Sequence, residues 1–577
     1  MRGVLRAKLR LLSGAIIFIA CIVIVRLYFV QIVHGGDFSL KAERQYENTA
    51  DALFDRGSIY FTRKDGTLIS AAGLQTGFRI AIDPQHLTKP DDVYTAITEQ
   101  VELPQETFMS AAAKTTDPYE SLITHVPEEA GRSLSNASYE GLLIERERWR
   151  TYPAGRSAAQ SIGFVAFDDD DTLAGRFGLE RYYNDVLIRG AEGLFGNFFA
   201  ELFANIDTAV GDAREAKEGN LVTTIEPVVV EKLDQVLAEV HAHYGSSETG
   251  GIIMNPRTGE IIALQTVPSF DPNGFTDSDP DSFGNPLVES RYEFGSIVKA
   301  LTMASGLDAK VIHPETTYND TGRITLNSKT ISNFDGKARG VVPMQEILSQ
   351  SLNTGVSFIA GKLGHERMRM YFESLGMGTE TGIDLPNEIP GDINNILSSP
   401  RDVEYATASF GQGIAMTPVE MVRALSALAN DGQIVTPHLV RSIRLESGVE
   451  KKLSWGEAET VFTPEATTQT TRMLVRVVDT ALAQGTLSIP EMSVAAKTGT
   501  AQMAAPGGGY YDDRYFHSFF GYFPAYDPQF IILLYTREPR GVQYASETLT
   551  HPFFELVHFL IHYYDVPPDR AEYTTSL

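Results

Sequence analysis

The strongest constraint on this chain lies at its N-terminus, where one long apolar run follows a short basic segment. Residues 1–10 carry Arg2, Arg6, Lys8 and Arg10 and no acid. Leu11 to Val25 is almost purely apolar, and beyond Arg26 the run continues from Leu27 to Val33 with only Gln31 polar. As a helix, Leu11–Val33 spans roughly 34 Å at 1.5 Å per residue, enough for a hydrocarbon core of about 30 Å. Arg26 can snorkel toward the outer headgroups. The basic flank places residues 1–10 in the cytoplasm. The expectation is a single-pass cell-membrane anchor, with everything after residue 34 extracytoplasmic. A cleaved signal peptide fits less well, because no small-x-small site ends the run. Cys21 is a poor lipoprotein site, since Phe18 stands where a small aliphatic residue is wanted.

Such an anchor leaves most of 577 residues to fold outside, too many for one ordinary domain. A formal net charge of −26 repels phosphate backbones, so no nucleic acid partner is expected. With Cys21 the single cysteine, no intrachain disulfide can form. There is no Cys/His ligand spacing, no HExxH and no Walker glycine loop. No metal and no cofactor is expected.

Residues 34–220 are polar and irregular, with short strand-like runs, and Asp168–Asp171 read as a solvated loop. From residue 221 the pattern turns regular. Pro227 suits a first helical position, and Val230, Leu233, Leu237 and Val240 follow at helical spacing. Gly251–Asn255 and Glu260–Thr266 are strand-like and joined as a hairpin through Asn255-Pro256-Arg257-Thr258-Gly259. His517–Phe523 and Gln529–Tyr535 repeat that pattern near the end, and residues 552–564 form a last helix. A helix, a hairpin, a long helical middle, more strands and a helix make an α+β domain. Its sheet is expected to be mainly antiparallel and built from both ends of the segment 221–577.

Three short motifs carry chemistry. In Ser296-Ile297-Val298-Lys299, the three-residue spacing puts the hydroxyl and the amine on one helix face, at a positive helix end. A serine needs an adjacent base, and a lysine is one only when neutral. From about 10.4, its pKa must fall by about 3 to work near pH 7, roughly 4 kcal/mol. Burial and a second cation can supply that. In Ser351-Leu352-Asn353, Ser351 can relay a proton, and Asn353 offers a donor and an acceptor to a substrate amide. Lys497-Thr498-Gly499-Thr500 reads as a strand with a cation and two hydroxyls suited to a carboxylate, where Gly499 lets a ligand backbone approach. The N–H groups of Ser296 and Thr500 make a candidate oxyanion hole.

In this order and spacing the three motifs resemble the penicillin-recognising serine acyl-transferases. The resemblance extends to Met254–Ile261, Pro268–Asn273 and Phe410-Gly411-Gln412-Gly413 with Thr417-Pro418. Arg56-Gly57-Ser58-Ile59, Pro153-Ala154-Gly155 and Gly178-Leu179-Glu180 resemble signatures of the family's non-catalytic pedestal. Two stretches depart from the pattern. Glu293-Phe294-Gly295 stands where Glu-Pro-Gly is usual, and Thr62-Arg63-Lys64-Asp65 replaces an Asp-Arg pair.

A class A β-lactamase would need Glu-x-x-Leu-Asn, but Arg323 and Ser349 occupy the Glu position before the two Leu-Asn pairs. No glycosyltransferase motif is found between residues 34 and 220. The resemblance therefore implies a class B penicillin-binding protein, closer to the septal division type than to the elongation type. It implies a pedestal over 34–220, a transpeptidase domain over 221–577, and Ser296, Lys299, Ser351 and Lys497 as catalytic residues. Asn353, Thr498, Gly499 and Thr500 become substrate-binding residues. Implied partners are peptidoglycan stem peptides, β-lactams, a SEDS-type glycan polymerase and other division proteins. A D,D-carboxypeptidase and a β-lactam-binding scaffold or sensor are the alternatives.

Overall fold

The computed structural model describes residues 55–167, 173–189, 218–445 and 448–570. The apolar run 11–33, Cys21 and Asp168–Asp171 lie outside the described residues. Among the described residues, no helix is long and apolar enough to cross a membrane.

The chain divides into two compact units. The smaller holds Leu74–Arg150. Strand β1 (Ile59–Thr62) belongs to the larger unit; in the smaller, the latter part of β2 (Leu68–Ile82) pairs antiparallel with β3 (Glu120–Val126), as in Phe78↔Val126 and Ile82↔Glu120. Its core gathers Phe78, Ile80, Ile82, Val93, Ile97 and Phe108. The larger unit holds Gly57–Gly73, Thr151–Arg189 and the rest of the described chain to residue 570. The stretch 34–220 thus contributes chain to both units.

In the larger unit, helix α1 (Pro227–Tyr244) starts as its sequence demands, with Pro227 in the first turn and the Glu226 carboxylate accepting from Val229 N at 2.9 Å. Strands β4 (Glu248–Met254) and β5 (Ile261–Val267) form the expected hairpin, with Asn255 Oδ1 accepting from Arg257 N in its turn. Three late strands complete the sheet: β6 (Ala495–Ala504), β7 (Tyr510–Phe523) and β8 (Phe530–Arg537). The order is β6-β7-β8-β4-β5, antiparallel throughout, so the central β8–β4 pairing joins the two ends of the segment. Both central strands are buried at every position but one, because both faces are covered. Helix α1 packs on β5 and against the last helix, Thr550–Tyr564.

Helix α2 (Lys299–Asp308) is buried on all sides from Lys299 to Leu307, and packs on α3 (Asn353–Ser374) and α4 (Pro464–Arg476). A helix buried all round belongs at a domain centre. The middle segment is less helical than its sequence suggests. Arg323–Leu326 and Lys329–Ser332 form a hairpin, and Thr317–Asp320 pairs with Gly340–Pro343. Asn327 and Ser328 turn the first of these with φ of 45° and 65°, the left-handed pair that two-residue hairpins require.

Candidate active site

The three motifs meet in one cavity of about 960 Å³, lined by Ser296, Ser351, Asn353, Lys497, Thr498 and Thr500 among others. Ser296 lies in a 3₁₀ turn, Gly295–Val298, that runs into α2 at Lys299. An α-helical start was expected. The tighter turn stacks positions i and i+3 more directly, so the shared face of Ser296 and Lys299 follows from a different helix. In that first turn the Ser296 N–H has no intrahelical acceptor, which leaves it available to an oxyanion.

Gly295 explains how the turn reaches the sheet. Its φ is +62°, and a Cβ there would stand 2.7 Å from Thr500 O. The departure at Phe294 is absorbed in place. Its φ of −82° is close to the value proline imposes, and its ring is fully buried, edge-on to Phe516 at 5.3 Å. Glu293 beside it accepts from Tyr510 Oη at 3.0 and 3.2 Å and from Gly413 N at 3.1 Å. Burial pushes its carboxyl up to about 6 against those hydrogen bonds.

Lys299 is completely buried. Its Nζ donates to Ser351 O at 2.6 Å and lies 3.1 Å from Ser351 Oγ. Lys497 Nζ reaches the same Ser351 Oγ at 3.1 Å, and Thr498 O at 3.0 Å. Burial, and secondarily the Lys497 charge, hold the Lys299 amine well below the usual lysine range. Burial lowers Lys497 to about 7. Two cations facing one hydroxyl repel, which disfavours protonation of both amines at once, and the stronger lowering falls on Lys299. Ser351 bridges them from a left-handed conformation, φ +54°, between the helix Met344–Ser349 and α3. That backbone cost is borne by a residue whose hydroxyl touches both amines.

Asn353 opens α3, with Nδ2 donating to Ser332 O at 2.9 Å. Thr498 and Thr500 alternate toward the cavity along β6. The Thr500 hydroxyl also accepts from Ala545 N at 3.0 Å. Gly499 is the correction: it points the other way, as the period of two requires, and does not line the cavity. A Cβ there would stand 2.5 Å from Phe294 O and 2.3 Å from Ser518 Oγ. Its missing side chain admits the nucleophile's own turn against the sheet, not a ligand backbone.

Phe334, Arg339 and Tyr544, which no sequence motif marks, also line the cavity. Phe334 and Tyr544 meet edge-on at 5.9 Å. Their only signal was a large aromatic in a polar loop. Buried His517 holds the Tyr544 segment, with Nε2 3.0 Å from Gln543 O and Nδ1 2.9 Å from Thr548 Oγ1. Burial lowers this imidazole to about 4, so it stays neutral near pH 7. Among the described residues no group of acidic, histidine or cysteine side chains could hold a metal ion.

A serine one turn before a buried lysine, a second serine bridging two lysines and a lysine on a sheet edge are the parts a serine acyl-transferase needs. Residues 249–557 match the penicillin binding protein transpeptidase domain. Stage V sporulation protein D of Bacillus subtilis is 26% identical, over 94% of this chain and 83% of its own length. A peptidoglycan D,D-transpeptidase FtsI homolog of Mesostigma viride is 27% identical, over 94% and 93% respectively. Among solved structures, penicillin binding protein 3 of Mycobacterium tuberculosis, complexed with aztreonam, superposes with a TM-score of 0.66 at 22% identity, covering 90% of this chain and 98% of that one. Penicillin binding protein 2X of Streptococcus thermophilus gives 0.71 at 19%, covering 89% and 80%. The chain belongs to the penicillin-binding protein transpeptidase family, as a class B member.

Proposed function

We propose that this protein cross-links peptidoglycan stem peptides through a Ser296 acyl-enzyme, releasing D-alanine, at the division septum. The observation that carries the reading is the Ser351 hydroxyl shared at 3.1 Å by two buried lysines in the cavity that holds Ser296. Neutral Lys299 takes the Ser296 proton as Oγ attacks the penultimate D-Ala carbonyl. The N–H groups of Ser296 and Thr500 stabilise the oxyanion. Charged Lys497, with the Thr498 and Thr500 hydroxyls, binds the terminal carboxylate. Asn353 positions the donor's amide. As the C–N bond breaks, Ser351 passes a proton to the leaving D-alanine. An acceptor amine then attacks the ester, forms the cross-link and returns the proton to the site.

The names of the FtsI-type relatives support the septal role. The run 11–33 serves as the anchor, with residues 1–10 cytoplasmic and the catalytic domain outside. Anchor and pedestal would meet a SEDS-type polymerase. A donor peptide supplied with an amine acceptor should give cross-linked dimer and free D-alanine. Hydrolysed monomer alone would indicate a carboxypeptidase, and a covalent label without turnover a scaffold. Fluorescent penicillin in living cells should mark the septum; uniform side-wall signal would remove the septal assignment.

The two lysines set the pH dependence. Lys299 works deprotonated, so acylation of the free enzyme rises with pH through its lowered pKa. Lys497 works protonated, so the rate falls as pH passes about 7. Stopped-flow acylation should therefore be bell-shaped, and Lys497→Arg should remove the alkaline limb. A plateau extending to about pH 10 in the unaltered enzyme would contradict this division of roles.

A further inference from the structure

Asn353 is held at two points. One is its own helix start, where Thr354 follows in the first turn of α3; the other is Ser332 O, which takes its Nδ2 hydrogen bond. Both points trace back to one side chain, Asp320, at the end of the strand Thr317–Asp320. The Thr354 hydroxyl lies 2.7 Å from Asp320 Oδ1. Asn333, next to Ser332, donates Nδ2 to both Asp320 oxygens at 3.0 Å. Asn333 Oδ1 in turn accepts from Thr354 N at 3.2 Å. The backbone N–H of Gly322 reaches Oδ1 and that of Arg339 reaches Oδ2, each at 3.0 Å.

Asp320 is 1% exposed. Burial alone would raise its carboxyl, but the hydrogen bonds from Gly322, Thr354, Asn333 and Arg339 outweigh that and hold it below the usual range. An anion this well satisfied is stable where it stands, and losing it would orphan several buried donors at once. Two of those donors, Thr354 and Asn333, adjoin Asn353 and Ser332 in the chain, while Asp320 itself does not line the cavity.

We propose that Asp320 is a positioning residue for the acylation reaction: a buried carboxylate that sets the orientation of the Asn353 amide by tying together its helix start and the carbonyl it leans on. The inference rests on Asn353 binding a substrate amide. It makes Asp320 matter for ligands that carry that amide and not for those that lack it. Benzylpenicillin has a side-chain amide, whereas 6-aminopenicillanic acid has the same ring system without it.

The test is a double-mutant cycle on the full-length protein in detergent, read as second-order acylation by both penams. Asp320→Asn should slow benzylpenicillin about 10- to 100-fold and 6-aminopenicillanic acid less than about threefold. Combined with Asn353→Ala, it should slow benzylpenicillin no more than about twofold beyond Asn353→Ala alone. Multiplying effects, or equal losses on the two penams, would overturn the inference and leave the Asn353 assignment standing. If Asn353→Ala alone spared benzylpenicillin acylation, the reading of Asn353 would fail and the inference with it. Should Asp320→Asn not fold, Thr354→Val removes the Thr354 link and enters the same cycle with the same criteria.

Discussion

Ser296→Ala should fold normally and form no covalent adduct with labelled penicillin. The substitution removes one oxygen from a half-buried side chain at the wall of an open cavity, so its effect on folding should stay within about 0.5 kcal/mol. Its effect on chemistry should be nearly total, because no other hydroxyl stands in that turn, three residues before a buried lysine. Loss of a serine nucleophile costs on the order of 10⁶ in a well-studied hydrolase, and a fall beyond about 10⁴ is expected here. Gel labelling followed over hours, beside a thermal melt, measures both parts. Adduct formation at an unchanged rate, with the melt unchanged, would show that the nucleophile lies elsewhere. Ser351 would be the next candidate, since it already contacts both lysines.

Lys299→Arg should be as inactive as Lys299→Ala. Arginine keeps the capacity to donate to Ser351 O but puts a permanent cation there, since it cannot give up its proton. The comparison therefore separates proton transfer from hydrogen bonding and packing. General-base loss alone is worth about 10²–10⁴ in rate. Lys299 also holds Ser351 through two contacts, at 2.6 and 3.1 Å, so acylation should fall by about 10³ or more in both variants. If Lys299→Arg acylated at close to the original rate, the neutral-amine mechanism would be wrong, and the position would matter only as a donor.

The grouping of the candidate site residues was legible because helix and strand periodicity relates near neighbours. Ser296 to Lys299 is one turn, and Thr498 and Thr500 share a strand face. The same periodicity, applied strictly, would have turned Gly499 away from the cavity. Contacts between distant positions had no such rule. Tyr510 reaches Glu293 across 217 residues, and Lys497 reaches Ser351 across 146. Nothing in the sequence sets Asp320 apart from other acids, because its burial among donors from Gly322, Asn333, Arg339 and Thr354 exists only in the fold. The hairpins between residues 317 and 343 were missed for a related reason: Asn327-Ser328 is a weaker turn signal than a pair with glycine, and the strands it joins are only four residues long.

By itself the sequence determined the class of chemistry, the order of the elements and the antiparallel character of the sheet, because each rests on local spacing and on which residue types can act as nucleophile, base or cation. Only the tertiary structure decided how deeply each lysine is buried, what stands opposite Gly499 and what Asn353 leans on. Those depend on desolvation and on the distance between side chains far apart in the chain, and neither quantity exists until the chain is folded.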